Sequence, residues 1–419
     1  MFARRALLFG GSEFDWYVDS VWGNDSNTGK TRNQALKTIA ALLAKTILTG
    51  QKIGLAMGSH WREALLAPSP AGLNNITVSD YGAGAPPILD CSDTIPAVSW
   101  TKTAGKTNIY QCTLTIDTGN ADQYVRAWED DVALPYVPYV DLDATPGGYL
   151  PDSHTGPSIT LYVHASDSSD PATSGKVYEY NRRASGLTAV DNCSGWHISG
   201  IETRRNLAGG GSLRLGRSAT VTDVICRDGT KHNLIFGDGW FFTNVQALGC
   251  YYGGASGSLF VYYENTPISL GGTFNACIAD GGTPNMAEVS GFYGHRGASG
   301  DFGTMTYNRC IARNCYNGFS GLHANIVLND ITVDNTVTAA VAPYDDCTIN
   351  NCVLSPLEMS IRPLDNGITI VMTGGACTPS SPSPAAVYGG AYTGVTITLD
   401  GVLFGIATFD YYYIYNLYL

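Results

Sequence analysis

The sequence predicts an all-β chain folded as a right-handed single-stranded parallel β-helix, with an N-terminal capping helix and an inserted antiparallel β element. A six-residue pattern recurs about every 21 residues from residue 190 onward. A second strand-like segment follows many copies at a similar offset, as in Asn233–Phe236 and Asn317–Ser320. The 49 glycines and 25 tyrosines favour short strands joined by tight turns.

The repeating unit reads apolar, any residue, small or polar, apolar, any residue, then apolar or small. Its clearest copies are Phe274–Ala279 and Tyr307–Ala312. First positions fall at residues 198, 221, 242, 274, 307, 328 and 349, in steps of 23, 21, 32, 33, 21 and 21, and one loop explains each longer step. Such a period is typical of a solenoid, in which each turn buries its inward face by stacking on its neighbours. The crossover preference of parallel strands predicts the right hand.

The pattern divides the chain into segments of different character. Helical spacing from Leu36 to Leu48 predicts a helix that covers the open end of the solenoid. The aromatic tail is expected to cap the last strand edge or to form a subunit contact. The predicted segments are an N-terminal attachment segment (1–13), an N-terminal strand with the capping helix (14–66), the first β-helix turns (67–100), the inserted β element (101–185), the main β-helix (186–405) and the aromatic C-terminal segment (406–419).

Composition excludes several classes of protein. Apolar residues make up 44% and charged residues 14%, which disfavours disorder. The net charge of −12 disfavours binding to nucleic acid or an anionic membrane, and no apolar run is long enough to span one. The N-terminus lacks the features of a secretion signal. The 11 cysteines are an odd number without a dense framework, so we expect buried free thiols, with those of Cys277, Cys310 and Cys352 in one interior column.

The N-terminal region carries a resemblance. Tyr17–Gly29, followed by Leu36–Ala40, resembles the opening of the pectate-lyase-like right-handed β-helix superfamily, above all its bacteriophage tailspike and virion-type members. Leu161–Asp167 and Val177–Tyr180 are similar to side elements of such chains. The resemblance implies a virion spike or tail-associated protein that meets a cell-surface glycan. Its lyases use clustered Asp and an Arg base, and no local run here matches those motifs. One fold hosts lyases, hydrolases, epimerases and inert spikes.

Glycoside hydrolysis would need two carboxyl groups about 5–9.5 Å apart, a distance that one or two stacked turns supply. The candidate catalytic residues are Asp228 and Asp238 with His232 between them, and Asp301 with His295 before it. The alternative is that these acids are turn or surface residues, as Asp before Gly usually is. Aromatic residues could stack on sugars or fill the interior; they are Trp196, Trp240, Tyr251, Tyr252, Tyr262 and Tyr263.

The residue after each unit forms a further column. Asp280, Arg313 and Asp334 are expected to stack as an ionic ladder. Arg204 and Arg227 place like charges on adjacent turns. This predicts an anion-binding strip that receives an acidic sugar or phosphate, composed of Arg204, Arg205, Arg227 and Lys231. The alternative is a solvated face neutralised by nearby Asp.

Three functions remain open: a virion spike that binds host polysaccharide, a glycan depolymerase on the same scaffold, and a structural virion decoration. Other virion proteins and a host-surface glycan are the expected partners, with a homo-oligomer, preferably a trimer. The expected location is the virion, made in the host cytoplasm and released by lysis. Neither a cofactor nor a metal is expected, because the spacing of Cys310 and Cys315 lacks a completing His.

Overall fold

The computed structural model has the predicted parallel β-helix fold. Its strands form three long parallel sheets, named A, B and C here, and each turn of the helix adds one strand to each sheet in that order. The structure describes residues 13–67, 72–117, 125–152, 156–251, 257–262, 270–282, 289–294, 303–322, 325–378, 385–388, 393–404, 408–410 and 414–418.

The strands run along each sheet in chain order. Sheet A contains Trp16–Val18, Lys52–Ala56, Thr77–Tyr81, His197–Ser199, Thr220–Thr222, Trp240–Thr243, Gly272–Asn275, Thr304–Asn308, Asn325–Asn329, Cys347–Asn350, Thr369–Thr373, Val395–Asp400 and Ile414–Tyr418. Sheet B contains His60–Trp61, Ile88–Asp90, Glu202–Arg204, Ile225–Gly229, Gln246–Cys250, Ile278–Asp280, Ile311–Arg313, Thr332–Asp334, Val353–Ser355, Ala376–Cys377 and Leu403–Phe404. Sheet C contains Leu65–Leu66, Leu187–Ser194, Leu213–Arg217, His232–Phe236, Gly257–Tyr262, Val289–Gly294, Asn317–Leu322, Ala339–Pro343, Met359–Ile361, Ala385–Tyr388 and Thr408–Asp410.

The predicted register is confirmed. The first positions of the unit are cross-strand partners along sheet A, namely Ile198, Val221, Phe242, Phe274, Tyr307, Leu328 and Ile349. The column extends at both ends, to Val78 before it and to Met372 and Leu399 after it. All of these side chains face the core and are buried.

The third position of the repeating unit is small or polar because of its backbone conformation. In each copy it makes the turn from sheet A to sheet B with positive φ, a conformation that Gly, Asn and Asp adopt most easily. Ala276 and Arg309 adopt it as well. The residues in this column are Gly200, Asp223, Asn244, Ala276, Arg309, Asp330, Asn351, Gly374 and Gly401.

The interior is filled by stacked aromatic rings and thiols. Phe292 lies between Phe260 and Phe319 at ring-centroid distances of 4.6 and 4.7 Å, and Phe274 stacks on Tyr307 at 4.8 Å. Of the aromatic residues considered for sugar stacking, Trp196, Trp240 and Tyr262 are buried, Tyr251 is half-buried, and residues 252 and 263 lie outside the described residues. All eleven cysteines belong to the described part of the chain, and all are buried and free, as predicted.

Outside the helix, asparagines form a second ladder. Asn308 donates to Asn275, Asn329 to Asn308 and Asn350 to Asn329, from Nδ2 to Oδ1 at 2.8–2.9 Å. Each of these asparagines therefore hydrogen-bonds its register partner on the neighbouring strand of sheet A. The predicted ionic ladder on sheet B forms only in part: Arg313 Nε lies 2.7 Å from Asp280 Oδ2, but the described residues show no ion pair between Arg313 and Asp334.

The N-terminal region differs from the prediction in two ways. Helix α1 spans only Ile39–Leu43, because Leu36 instead bridges to Val18 of sheet A and Thr38 caps the helix through Oγ1. Ile39 and Leu42 are buried in the core. The region 14–66 also contains a complete first turn of the β-helix, made by its strands at 52–56, 60–61 and 65–66.

The N-terminal motif Tyr17–Gly29, which carries the family resemblance, forms the loop before α1. Asp25 Oδ1 accepts hydrogen bonds from the backbone N–H groups of Lys37 and Thr38, and Asp25 Oδ2 accepts from Thr38 Oγ1. Asn27 Nδ2 donates to the carbonyl oxygen of Ala35. The motif therefore has a structural role: it fixes the loop that leads into α1.

The inserted element consists of two four-stranded antiparallel sheets, named D and E here, with helix α2 (Tyr139–Leu142) beside them. It begins earlier than predicted, at Ser92, because the chain leaves sheet B directly after Asp90. Sheet D is ordered Val132–Ala133, Ala127–Glu129, Tyr178–Asn181 and Ser92–Ile95. Sheet E is ordered Tyr149–Pro151, Ser158–Val163, Tyr110–Thr115 and Thr101–Lys102. Short 3₁₀ helices occur at Arg32–Gln34, Ala97–Ser99 and Ala208–Gly210.

Both chain ends bear on the predicted segments. Residues 1–12 of the predicted attachment segment lie outside the described residues. Within the aromatic segment, Thr408–Asp410 and Ile414–Tyr418 continue sheets C and A in parallel, so the segment adds strands to the solenoid. Its role as a subunit contact stays a prediction. In the part of the chain that is described, no helix is long and apolar enough to cross a membrane.

Candidate functional site

An ionic cluster lies where the inserted element meets the outer face of sheet B. We define it as Asp90, Glu179, Glu202, Arg204 and Arg205, whose side chains are between 0 and 11% exposed. Sheet B supplies Asp90, Glu202 and Arg204, and Glu179 comes from sheet D. Charged side chains are rarely buried to this degree unless they are paired.

Asp90 is the centre of this cluster. Its Oδ2 accepts a hydrogen bond from Arg204 Nε at 2.7 Å and lies 3.0 Å from His60 Nε2 and 3.9 Å from Arg205 Nη1. Its Oδ1 accepts from the backbone N–H and Oγ of Ser92. Burial alone would raise the pKa of Asp90, but His60, Arg204 and Arg205 outweigh it and hold that pKa well below its usual range. Asp90 is thus an anion at neutral pH, and it neutralises the surrounding arginines.

Glu179 ties the inserted element to the β-helix. Its Oε2 accepts from Arg205 Nη1 at 2.6 Å, and its Oε1 pairs with Arg62. The Arg205 guanidinium also lies over the ring of Trp128, 4.6 Å from the centroid, and contacts Asp131. These contacts fix the position of sheet D relative to sheet B.

The cluster has an accessible side, which we call the open edge and define as Glu202, Arg227 and Asp228. The Arg227 guanidinium contacts both acids: Nε lies 2.7 Å from Glu202 Oε1, and Nη1 lies 3.8 Å from Asp228 Oδ2. Because one planar guanidinium spans both contacts, these carboxylate oxygens are no more than about 9 Å apart. Arg227 is 33% and Asp228 21% exposed at the side chain. Solvent therefore reaches Arg227 and Asp228 on this side of the cluster, and Glu202, 11% exposed, lies directly beside them.

Asp228 is in an unusual environment. Burial raises its pKa above the ordinary Asp range, and this outweighs the opposing effects of Arg227, Arg205 and Arg204. Its backbone has a φ of 56°, which Asp tolerates better than most residues. A Cβ on Gly249 would come within 3.1 Å of Asp228 Oδ1, so this glycine lets the neighbouring turn approach the carboxyl group. The open edge thus holds two acids in different environments, an arrangement typical of acid–base sites.

The premise of the predicted anion-binding strip is not met. Arg204 and Arg205 are buried and paired with Asp90, Asp131 and Glu179, and Arg227 is paired with Glu202. The protein itself supplies the anions that the adjacent arginines require. Lys231 is half-buried in the turn between sheets B and C. Binding of an external anion by these residues stays a prediction.

The other candidate acids have separate positions. Asp238 is buried, and its carboxylate accepts hydrogen bonds from the backbone N–H groups of Leu270 and Gly271, which gives it a structural role in the loop. His232 opens a strand of sheet C opposite Ser258, on a different sheet from Asp228. The candidates at positions 295 and 301, His295 and Asp301, lie outside the described residues. In the described ranges no group of three or more His, Cys, Asp or Glu residues is arranged to hold a metal ion.

Sequence reasoning missed Asp90, Glu179 and Glu202. Asp90 pairs with Arg204 in register. However, Asp90 follows Val78 by twelve positions, whereas Arg204 follows Ile198 by six, so the longer turn hides the column. Glu202 could have been found as the fifth position of its unit, beside Arg227 on the next turn. Glu179 belongs to the inserted element, whose position the spacing does not reveal.

Comparison with solved structures supports the fold. The chain matches no protein-family model and no curated protein. Among solved structures it is similar to XylC in complex with xylose, at 13% identity and a TM-score of 0.58 over 93% of this chain and 69% of that one. It is also similar to the GH136 lacto-N-biosidase from Eubacterium ramulus (9% identity, TM-score 0.36, 96% and 68% covered) and to the tailspike protein gp49 from Pseudomonas phage LKA1 (13% identity, TM-score 0.31, 87% and 70% covered). At these identities, what the chain shares with the first of these structures is the parallel β-helix fold.

Proposed function

We propose that this β-helix protein binds a cell-surface polysaccharide at the open edge and hydrolyses its glycosidic bonds. The observation that carries the proposal is the pair of carboxyl groups on either side of Arg227, one of them with a raised pKa. Their separation of at most about 9 Å is compatible with the about 5–9.5 Å found between the two carboxyls of glycoside hydrolases.

The environments of the two acids assign their roles. Asp228, whose pKa is raised by burial, is the acid: in its protonated form it donates its proton to the glycosidic oxygen as the bond to the anomeric carbon breaks. Glu202, paired with the Arg227 guanidinium, is the carboxylate that accepts a proton from a water molecule as the water oxygen bonds to the anomeric carbon. That oxygen becomes the hydroxyl group of the new reducing end; Glu202 then releases its proton to solvent, and Asp228 regains a proton from solvent. Arg227 does not react; it positions both acids.

The N-terminal resemblance supports a biological setting for this activity. We propose a bacteriophage spike or tail-associated protein of the pectate-lyase-like superfamily, assembled as a homo-oligomer, preferably a trimer, with other virion proteins. It would be made in the host cytoplasm and released on the virion by lysis. Detection of this chain in purified virions by mass spectrometry, at a copy number that is a multiple of three, tests this setting. Its absence from virions would remove it.

A second candidate function is glycan binding without cleavage. It is favoured by the position of Asp228 in a turn with positive φ. Asp is common at such positions because it tolerates this backbone conformation, without any catalytic role. The two functions differ in the products that they leave.

The experiment incubates the purified protein with a panel of capsular polysaccharides, lipopolysaccharides and xylans; xylan is included because XylC was solved with xylose. New reducing ends that Asp228→Asn and Glu202→Gln both abolish are expected. Retention of a glycan without new reducing ends would favour binding alone. Neither retention nor products with any glycan would leave the structural role of a virion decoration.

A further inference from the structure

Trp22 is distinct from the other tryptophans of the chain. It is 86% exposed, whereas the six others are at most 7% exposed, and Val21 beside it is 55% exposed. The loop that carries it is well fixed: Asp19 Oδ1 accepts hydrogen bonds from the backbone N–H groups of Val21 and Trp22, each at 2.9 Å. A large aromatic ring held in solvent on a fixed loop loses little entropy when it binds a ligand.

The loop of Trp22 is joined to the sheet that bears the candidate site. The backbone N–H of Ser20 donates to Ser59 Oγ at 3.0 Å, and the backbone N–H of His60 donates to Ser20 Oγ at 3.1 Å. His60 begins the first strand of sheet B and hydrogen-bonds Asp90 in the ionic cluster. Trp22 is thus placed at the N-terminal end of the same sheet.

A column of side chains connects this end to the open edge. His60, Ile88, Glu202 and Ile225 are successive register partners on the outer face of sheet B. We call this column the surface track. His60 is exposed, and Ile88 and Ile225 are partly exposed, so the inserted element leaves the track accessible on both sides of Glu202. Three strand spacings from His60 to Ile225 amount to about 14 Å.

We propose that the surface track holds an extended glycan chain and that Trp22 forms a distant subsite on which one sugar ring stacks. This inference rests on the proposed function and adds the substrate class: an oligosaccharide of at least about four units. Three strand spacings separate the strand of His60, to which the loop of Trp22 is joined, from the strand of Asp228. One pyranose unit advances a glycan by about one strand spacing, so a chain that spans this distance needs at least about four units. The apolar face of a sugar packs on indole, and its hydroxyl groups meet polar side chains such as His60.

The test measures binding to immobilised oligosaccharides of one to eight units, prepared from neutral and acidic bacterial glycans and from xylan. Trp22→Ala is expected to weaken binding about tenfold for fragments of four or more units and to leave shorter fragments unaffected. Trp22→Phe is expected to retain most of the long-chain affinity. Leu403→Ala is the matched control, because Leu403 is 72% exposed on the last strand of the same sheet, far from the site.

The outcomes separate this inference from the proposed function. If the wild-type protein binds a glycan and Trp22→Ala binds every length as the wild type does, the distant subsite is wrong and the open edge is unaffected. If Trp22→Ala weakens the binding of short and long fragments alike, Trp22 does not form a distant subsite that only long fragments reach. If the wild-type protein retains no fragment of any length, the proposed function fails, and the subsite fails with it.

Discussion

Arg204 and Asp90 are cross-strand partners in sheet B, and Arg204 Nε donates to Asp90 Oδ2 at 2.7 Å. The two residues are 114 positions apart because the whole inserted element lies between them in the chain. Their ion pair joins two neighbouring turns of the β-helix, between which the chain forms the inserted element. Both side chains are buried, Asp90 at 0% and Arg204 at 7% exposed, so each compensates the buried charge of the other.

We predict that Asp90→Asn destabilises the protein by about 3–5 kcal/mol, because it leaves the buried guanidiniums of Arg204 and Arg205 without their shared anion. Urea unfolding at pH 7 measures this change. The control is Asp280→Asn, which removes the ion pair with Arg313 on an exposed part of the same sheet and should cost less than about 1 kcal/mol. Equal effects of the two substitutions would contradict the central role of Asp90.

The depressed pKa of Asp90 predicts that its contribution to the unfolding free energy depends on pH. The pKa of folded Asp90 is depressed, so its contribution to stability is complete above the unfolded pKa of about 4. It is lost as the pH falls below that value towards the folded pKa. We therefore expect the difference in unfolding free energy between the wild type and Asp90→Asn to shrink between about pH 4 and pH 2. A difference that stays constant over this range would show that charge is not its cause.

The fold could be predicted because the solenoid repeats its chemistry. Phe274 and Tyr307, or Cys277 and Cys310, occupy the same position on neighbouring turns, so one spacing predicts many contacts. The candidate site could be predicted only in part. Asp228 was among the candidates from sequence, but its partner Glu202 was not, and Asp90 lies beyond a longer turn. Glu179 reaches the site from a separate antiparallel sheet, and such tertiary contacts leave no periodic signal.

The column of turn residues with positive φ makes a stability prediction. Arg309 has a φ of 53° in a position that Asp or Asn fills on four other turns, at Asp223, Asn244, Asp330 and Asn351. Arg309→Asn is expected to stabilise the protein by about 0.5–1 kcal/mol, through lower strain and a hydrogen bond to Asp330 like the one that Asn351 makes. Thermal unfolding measures it, with Asn351→Ala as the opposite change, which should destabilise. A loss of stability in Arg309→Asn would mean that the Arg309 side chain contributes a contact of its own.

The interior thiols make a chemical prediction. All eleven cysteines are buried and free, and burial raises the pKa of Cys315 and Cys352 to about 12. Since the thiolate is the reactive form, we expect a thiol reagent to label fewer than one cysteine per native molecule in an hour, and all of them after denaturation. Rapid labelling of several cysteines without denaturant would show that the core opens readily.

The proposed acid predicts the response of hydrolysis to pH. Asp228 has a raised pKa in the folded protein and must be protonated to act, so the rate falls as the pH rises through that value. Because the ionised form is disfavoured by burial, Asp228→Asn should equal or exceed the wild type in stability at pH 7. Thermal unfolding of the two proteins at pH 7 and a pH–rate profile of the wild type measure these effects. A large loss of stability in Asp228→Asn would instead indicate a structural carboxylate.

The most direct test of the proposed hydrolysis is an assay of new reducing ends on the polysaccharide panel. It compares the wild type, Asp228→Asn and Asp280→Asn under conditions in which all three proteins are folded. Products are expected from the wild type and from Asp280→Asn, and at least a hundredfold loss of activity is expected for Asp228→Asn with glycan binding retained. A wild type that binds a glycan but releases no reducing ends, or an Asp228→Asn variant as active as the wild type, would contradict it.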